Sequence, residues 1–259
     1  MKELKLTPEE INEKLAVLNT LPIVSWEYPR IMVGIPLERA ISHADEVFWP
    51  FMGIAAQNPA FLPMNYQRTD LYRNKVAEKL LQTNMTHVLM LDIDHTHPQD
   101  IIQRLAKWVL LDPEVKIVGG LNFRRGAPYE PCAFIEEDGK VYAPADWPQG
   151  LVKVDYLGTG SILIAREVFE EIEPPWFFND YRHAWEGHYP GEDIGFSAKA
   201  REAGFDLYMD TTTVSPHLTT HGIDESTFRN YMKTHREKLV DMETKAKLSD
   251  EEIEKRGLV

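Results

Sequence analysis

The sequence predicts an α/β fold: a mixed, mostly parallel sheet flanked by helices, followed by a helical C-terminal tail. Three observations carry this expectation. Val88-Leu89-Met90-Leu91 runs without polar alternation into Asp92, the pattern of a strand covered on both faces. Helix-spaced segments precede and follow it, and Val115 to Gly120 forms the next apolar run, so strands and helices alternate in the order that calls for parallel pairing. Beyond Gly120 the apolar runs shorten, and the second half of the sheet is expected to be mixed.

Each element has a local reason. Thr7-Pro8-Glu9-Glu10 is a helix start, with Thr7 as cap, Pro8 in the first turn and Glu10 closing a capping box; the helix is expected to run to about Leu18. After Pro22 and Pro29, Arg30 to Pro36 reads as the first core strand, ending in a turn. Leu71, Val76, Leu80 and Leu81 recur at helical spacing and predict a helix over Thr69 to Gln82. The Asp92 strand follows, then a helix opened by Pro98-Gln99-Asp100 and reaching Leu110, then the strand Val115 to Gly120.

Short strands of hairpin type are expected over Pro131 to Phe134, Val141 to Pro144 and Leu151 to Leu157. Ser161 to Ala165 reads as a buried strand and Glu167 to Ile172 as a short helix that Pro174-Pro175 ends. Trp176 to Gly191 has the composition of a surface loop carrying binding groups. A helix from Asp193 to Ala203 stops at Gly204, and the strand Asp206 to Met209 leads on to His217. In the tail, Phe228, Tyr231, Met232, Leu239 and Met242 form a narrow apolar stripe, and Ser249 with Glu252 offers a second capping box. The stripe fits packing on the domain or self-association into a homo-oligomer. The organisation expected is an N-terminal helical arm over residues 1–29, one α/β domain over 30–221 and the tail over 222–259.

Composition narrows the function. A formal charge of -13 in 259 residues argues against binding a nucleic-acid backbone, which recruits Lys and Arg clusters. The N-terminus lacks a signal-peptide core and no segment is long enough to span a bilayer, so a cytoplasmic protein with no transmembrane anchor is expected. The single cysteine, Cys132, reads as a packing residue and suits a reducing compartment.

Chemistry concentrates in three polar clusters: Asp92 with Asp94, Glu192 with Asp193, and His217. Ligands in such sheets collect at the carboxyl ends of strands. Two carboxylates there make a negative pocket suited to a hard divalent ion, Mg²⁺ or Mn²⁺. An acidic pair such as Glu192-Asp193 can equally be a solvated helix start favoured by the dipole.

In order along the chain, Val33-Gly-Ile-Pro36, Arg73-Asn74, Leu91-Asp-Ile-Asp94, Gly158-Thr-Gly-Ser161 with Arg166-Glu-Val-Phe169, Gly191-Glu-Asp-Ile-Gly-Phe-Ser197 through Glu202-Ala-Gly-Phe205, and Val214-Ser-Pro-His217 resemble a GT-A glycosyltransferase of the family 2 type. The match covers roughly Arg30 to His221. The resemblance implies transfer of a sugar from a nucleotide sugar, UDP-linked in our reading, to an unidentified acceptor, with slow donor hydrolysis when water substitutes. It implies that Asp94 binds the metal, Mn²⁺ or Mg²⁺, that Asp92 contacts the donor ribose or the metal through water, and that His217 is the third protein ligand. Arg73 would help hold the nucleotide, and the turn after Ile35, at Pro36, would border its base and ribose. Glu192 and Asp193 match the acidic pair near the acceptor, with Asp193 as general base. Trp185 and His188, with His183 and Tyr189, and Gly160 are candidates for an acceptor or sugar subsite; for the loop aromatics, burial to anchor the loop is the alternative.

Some assignments stay open at this level. His95 and His97 either assist the metal or cap the following helix, and the spacing of His217 and His221 invites a zinc reading without an accompanying acid. Leu91-Asp92-Ile93-Asp94-His95-Thr96 also resembles the nucleophile motif of haloacid-dehalogenase-type phosphatases, in which Asp92 would attack phosphorus and Asp94 act as acid and base. That reading lacks a further acid after Asp193, where Gly195, Phe196 and Ser197 stand. A non-catalytic nucleotide- or carbohydrate-binding module on the same fold is the third reading.

Overall fold

The computed structural model describes residues 6–37, 44–57, 60–65, 68–180, 190–219, 222–244 and 246–258. Helix α1 (Pro8–Thr20) opens with the reciprocal capping box: Glu10 N donates to Thr7 Oγ1 and Thr7 N to Glu10 Oε2. The first half then alternates through β1 (Ile31–Leu37), α2 (Ala44–Gln57), β2 (Phe61–Asn65), α3 (Thr69–Leu81), β3 (His87–Leu91), α4 (Ile101–Leu111) and β4 (Ile117–Leu121). Short strands follow: β5 (Ala133–Glu137), β6 (Lys140–Tyr142), β7 (Leu151–Val154), β8 (Tyr156–Leu157) and β9 (Ser161–Ala165). The remainder is α5 (Arg166–Glu171), α6 (Glu192–Glu202), β10 (Leu207–Val214), β11 (His217–Leu218), β12 (Gly222–Ile223), α7 (Glu225–Met232) and α8 (Asp250–Arg256).

Seven strands form the main sheet in the order β2-β1-β3-β9-β4-β10-β7. β1 pairs in parallel with β2 and β3, and β4 with β10; β9 is antiparallel to both β3 and β4, and β7 to β10. The expectation of a mostly parallel sheet is therefore corrected: half of the pairings are antiparallel. The cause is β9. The chain leaves β4 at its carboxyl end, forms β5 and β6 of the small sheet, the edge strand β7 and then β8, and enters between β3 and β4 from the carboxyl edge of β4 without a crossover helix, which a parallel strand would need.

Both faces of the sheet are covered, as the uninterrupted run in β3 requires. Val88 and Met90 join a core with Tyr72, Val76 and Leu80 of α3 and Phe196 and Ala200 of α6. Leu89 and Leu91 join the opposite one with Ile101, Leu105 and Val109 of α4. The tail holds two short helices, α7 and α8, the second opened by the Ser249–Glu252 capping box, with a 3-10 turn at Arg236–Lys238 and a bridge between Val240 and Lys247 between them. Its stripe is turned inward: Phe228, Met232 and Leu239 are buried in the domain core, Tyr231 and Met242 pack partly buried against it, and Ile253 of α8 joins the same core. Among the described residues, no helix is long and apolar enough to cross a membrane.

Candidate functional site

The site is assembled where β3, β9 and β10 reach one edge of the sheet. The β3–β9 ladder ends at Leu91 opposite Ser161, and Asp92 N donates to Gly160 O at 2.9 Å. The loop beyond Asp92 is then stitched to the segment around β11: Leu218 N donates to Asp94 O (2.7 Å) and Thr96 N to Pro216 O (2.9 Å). His97 fastens it further, with Nε2 2.8 Å from Asp92 O and Nδ1 3.0 Å from Ser215 Oγ. A carbonyl only accepts, so Nε2 carries the proton and Nδ1 accepts from the serine. Burial and the neighbouring His95 push the His97 pKa down to about 3, leaving a neutral staple whose two nitrogens are both engaged.

His217 reaches the site through a bulge in β10 between Asp210 and Val214. The buried Asp210 carboxylate organises that bulge by accepting from Thr212 N (3.0 Å), Thr212 Oγ1 (2.6 Å) and Thr213 Oγ1 (2.7 Å). Bulges commonly re-aim side chains beside sites in this way.

Asp94 has an imidazole at each oxygen: His95 Nδ1 lies 3.1 Å from Oδ1 and His217 Nε2 lies 3.2 Å from Oδ2. His217 Nδ1 is 2.8 Å from Phe123 O, so Nδ1 donates to that carbonyl and Nε2 is the ring atom left to face the carboxylate. The contact between Nε2 and the carboxylate is completed by a shared proton or, in its place, by a cation. Donor atoms on adjacent corners of an octahedron of about 2.1 Å radius lie about 3.0 Å apart, close to the 3.2 Å found. Asp94, His95 and His217 offer donor atoms within 4.8 Å of one another and could hold a metal ion. The rings of His95 and His217 stack at 4.0 Å. Burial acts to raise the Asp94 pKa, but the two histidines outweigh it and hold the carboxyl well below the usual range.

This donor set differs from the expected one in a single member. Asp92 turns both carboxylate oxygens to Arg73 Nη2, each at 2.8 Å, and His95 joins Asp94 and His217 in its place. Gly160 makes room for that ring: a Cβ there would lie 2.9 Å from His95 Nε2 and 3.2 Å from Asn122 Cγ. The phosphatase alternative needs Asp92 as a free nucleophile, and the Arg73 guanidinium drains charge from both of its oxygens.

Arg73 is the hub. It is buried on α3, with Nη2 on Asp92 and Nη1 on Glu192 Oε1; burial alone would lower its pKa, but Asp92 and Glu192 outweigh that and keep it charged. Its neighbour Asn74 accepts from Trp176 N and Phe177 N and donates to Phe177 O, clamping the start of the loop that leads to α6. Asp193 sits in the first turn of α6, where Oδ1 accepts from Ile194 N at 2.8 Å. Burial and the charge of Glu192 push its pKa up to about 6, with Arg73 acting in the opposite direction.

These groups line one cavity of about 310 Å³, together with Pro36, Asn122, Arg125, Cys132, Thr159 and Gly160. Ile35 is not among its walls; its side chain is buried in the core cluster that the apolar face of α4 also joins. Trp185, His188, His183, Tyr189 and His221 lie outside the described residues. Cys132 borders the cavity with its thiol pKa pushed far up by burial, so it is a packing group rather than a nucleophile. Sequence reasoning missed Arg125, whose Nη1 lies 3.1 Å from Asp94 Oδ2. It stands in an irregular loop, where no periodicity marks it.

No family model matches this chain, and no curated protein matches it. Solved structures do share its fold. The crystal structure of A197 from STIV is similar over 73% of this chain and 85% of that chain, with a TM-score of 0.52 and 14% sequence identity. At that identity the likeness defines the class, an α/β protein with a mixed sheet flanked by helices, and a possible Asp/His/His metal cluster is the chemistry added at its edge.

Proposed function

We propose that the chain is a metal-dependent glycosyltransferase that moves a sugar from a nucleotide sugar, UDP-linked, to an acceptor hydroxyl. One observation carries the reading: a carboxylate–imidazole donor set and a carboxylate of raised pKa, Asp193, line the same cavity, where the buried Arg73 bridges their sequence neighbours Asp92 and Glu192. Asp94, His95 and His217 would hold the ion, which when bound neutralises the leaving diphosphate as a Lewis acid. Two imidazoles with one carboxylate suit a transition ion better than Mg²⁺, so Mn²⁺ is the ion we assign first.

The other residues have roles that follow from their surroundings. Asp193 is ionised at neutral pH yet more basic than an ordinary aspartate, which suits it to take the acceptor proton as the new bond forms. Arg73 holds Asp92 and Glu192 in fixed orientations, leaving Asp92 lone pairs for the donor ribose. Water in the acceptor position gives slow donor hydrolysis.

A thermal-shift screen of nucleotide sugars with Mn²⁺, Mg²⁺ or chelator tests the reading. One donor class raises the melting temperature only when metal is present, and the effect is lost in Asp94→Ala and His217→Ala. Failure of every nucleoside diphosphate and nucleotide sugar to stabilise the metal-loaded protein contradicts it.

A further inference from the structure

We infer that Arg125 occupies the metal-ligating oxygen of Asp94 until a divalent ion arrives and then turns to the phosphates of the nucleotide donor. The inference rests on the sugar-transfer reading and adds a residue to it. The described walls of the cavity carry four carboxylates, Asp92, Asp94, Glu192 and Asp193, against two guanidinium groups, Arg73 and Arg125. An anionic donor is repelled by that excess of negative charge. Arg73 is committed, buried between Asp92 and Glu192. Arg125 is the other cation on the wall, with a side chain 57% exposed, and its Nη1 lies 3.1 Å from Asp94 Oδ2.

That oxygen is the one facing His217 Nε2 at 3.2 Å. A divalent ion held there satisfies Asp94 and places two positive charges beside the guanidinium, so the pair with Arg125 is released. Such a half-exposed pair holds weakly and exchanges readily. The loop is built for re-aiming the side chain alone. Its base is fixed by the Phe123–Pro131 bridge, by Arg124 N donating to Glu130 O (3.0 Å) and by the Arg124–Glu130 ion pair (2.6 Å), while Gly126 beside Arg125 has open space around it. Freed from Asp94, a planar guanidinium at the cavity mouth presents paired N–H donors that match phosphate oxygens.

Calorimetric titration of Arg125→Gln with Mn²⁺ alone, and then with UDP at saturating Mn²⁺, gives effects of opposite sign. Mn²⁺ binds about 2- to 5-fold more tightly, because a competing cation is gone, and UDP binds about 10-fold or more weakly, because a charged hydrogen-bond donor is lost. Unchanged or weaker Mn²⁺ binding, or unchanged UDP binding, in Arg125→Gln overturns the assignment of Arg125 while leaving the sugar-transfer reading in place. Wild-type protein that takes up Mn²⁺ but neither UDP nor any other nucleoside diphosphate overturns both.

Discussion

Replacing Asp193 by asparagine is expected to stabilise the fold while removing transfer activity. The Asp193 pKa rises from 3.8 to about 6, so the folded chain holds this proton more tightly than the unfolded chain. The stability it contributes is complete below its ordinary value and is lost as pH rises toward 6. A shift of roughly two pH units corresponds to about 3 kcal/mol, and partial solvent access to the pocket reduces that to about 2 kcal/mol. Asparagine keeps an oxygen for the Ile194 N–H and carries no charge to desolvate, so above pH 7 the variant escapes the loss. At roughly 2–4 °C per kcal/mol for a chain of this size, metal-free Asp193→Asn melts about 4–8 °C above wild type at pH 8, and the gap closes toward pH 4. Parallel thermal melts across that range measure it. An equal gap at every pH, or a variant less stable at pH 8, refutes the argument that burial of an ionised carboxylate sets this residue's chemistry.

Other perturbations test the remaining parts of the site. Turnover in wild type falls as pH drops through about 6, where Asp193 takes up its proton; a pH–rate profile flat from pH 5 to 8 removes it as the base. Arg73→Met leaves the carboxylates of Asp92 and Glu192 without their shared cation and lowers unfolding stability by about 3 kcal/mol in urea denaturation; a loss under about 1 kcal/mol contradicts its role as hub. Asp94→Ala and His217→Ala each weaken Mn²⁺ binding tenfold or more by calorimetry, whereas Asp92→Asn changes it little because Asp92 faces Arg73. Gly160→Ala drives a methyl group against the His95 ring, which weakens Mn²⁺ binding and destabilises the fold by about 1–3 kcal/mol; a variant that binds the ion as well as wild type shows that His95 is not held by this contact.

Much of the frame is legible in the sequence because local physics agrees with it. The run ending at Leu91 is apolar on both alternating faces, and both faces are buried. Helix α2 and strand β2 escape notice for a physical reason. Val47, Phe48, Trp49, Phe51, Met52 and Ile54 leave no polar face to set a period, Pro50 interrupts the pattern, and β2 is short and contains Pro63. The direction of β9 is equally hidden, since Ser161 to Ala165 is buried throughout whichever way it runs; only the missing crossover helix points to antiparallel pairing. Within the site, the acidic pairs and His217 are readable as types, but their partners are set by tertiary contacts. That Asp92 pairs with Arg73 while His95 joins Asp94 depends on how the loop is stitched to β11, through backbone bonds such as Leu218 N to Asp94 O.

The central claim is sugar transfer, and release of nucleoside diphosphate tests it most directly. Wild-type protein, Asp94→Ala and Asp92→Asn are incubated with a panel of nucleotide sugars, with and without Mn²⁺, and products are identified by mass spectrometry. The account predicts slow, Mn²⁺-dependent release of one nucleoside diphosphate by wild type, abolished in Asp94→Ala. No release from any donor, combined with turnover of a simple phosphate ester that disappears in Asp92→Asn, contradicts it and assigns the site to phosphate hydrolysis.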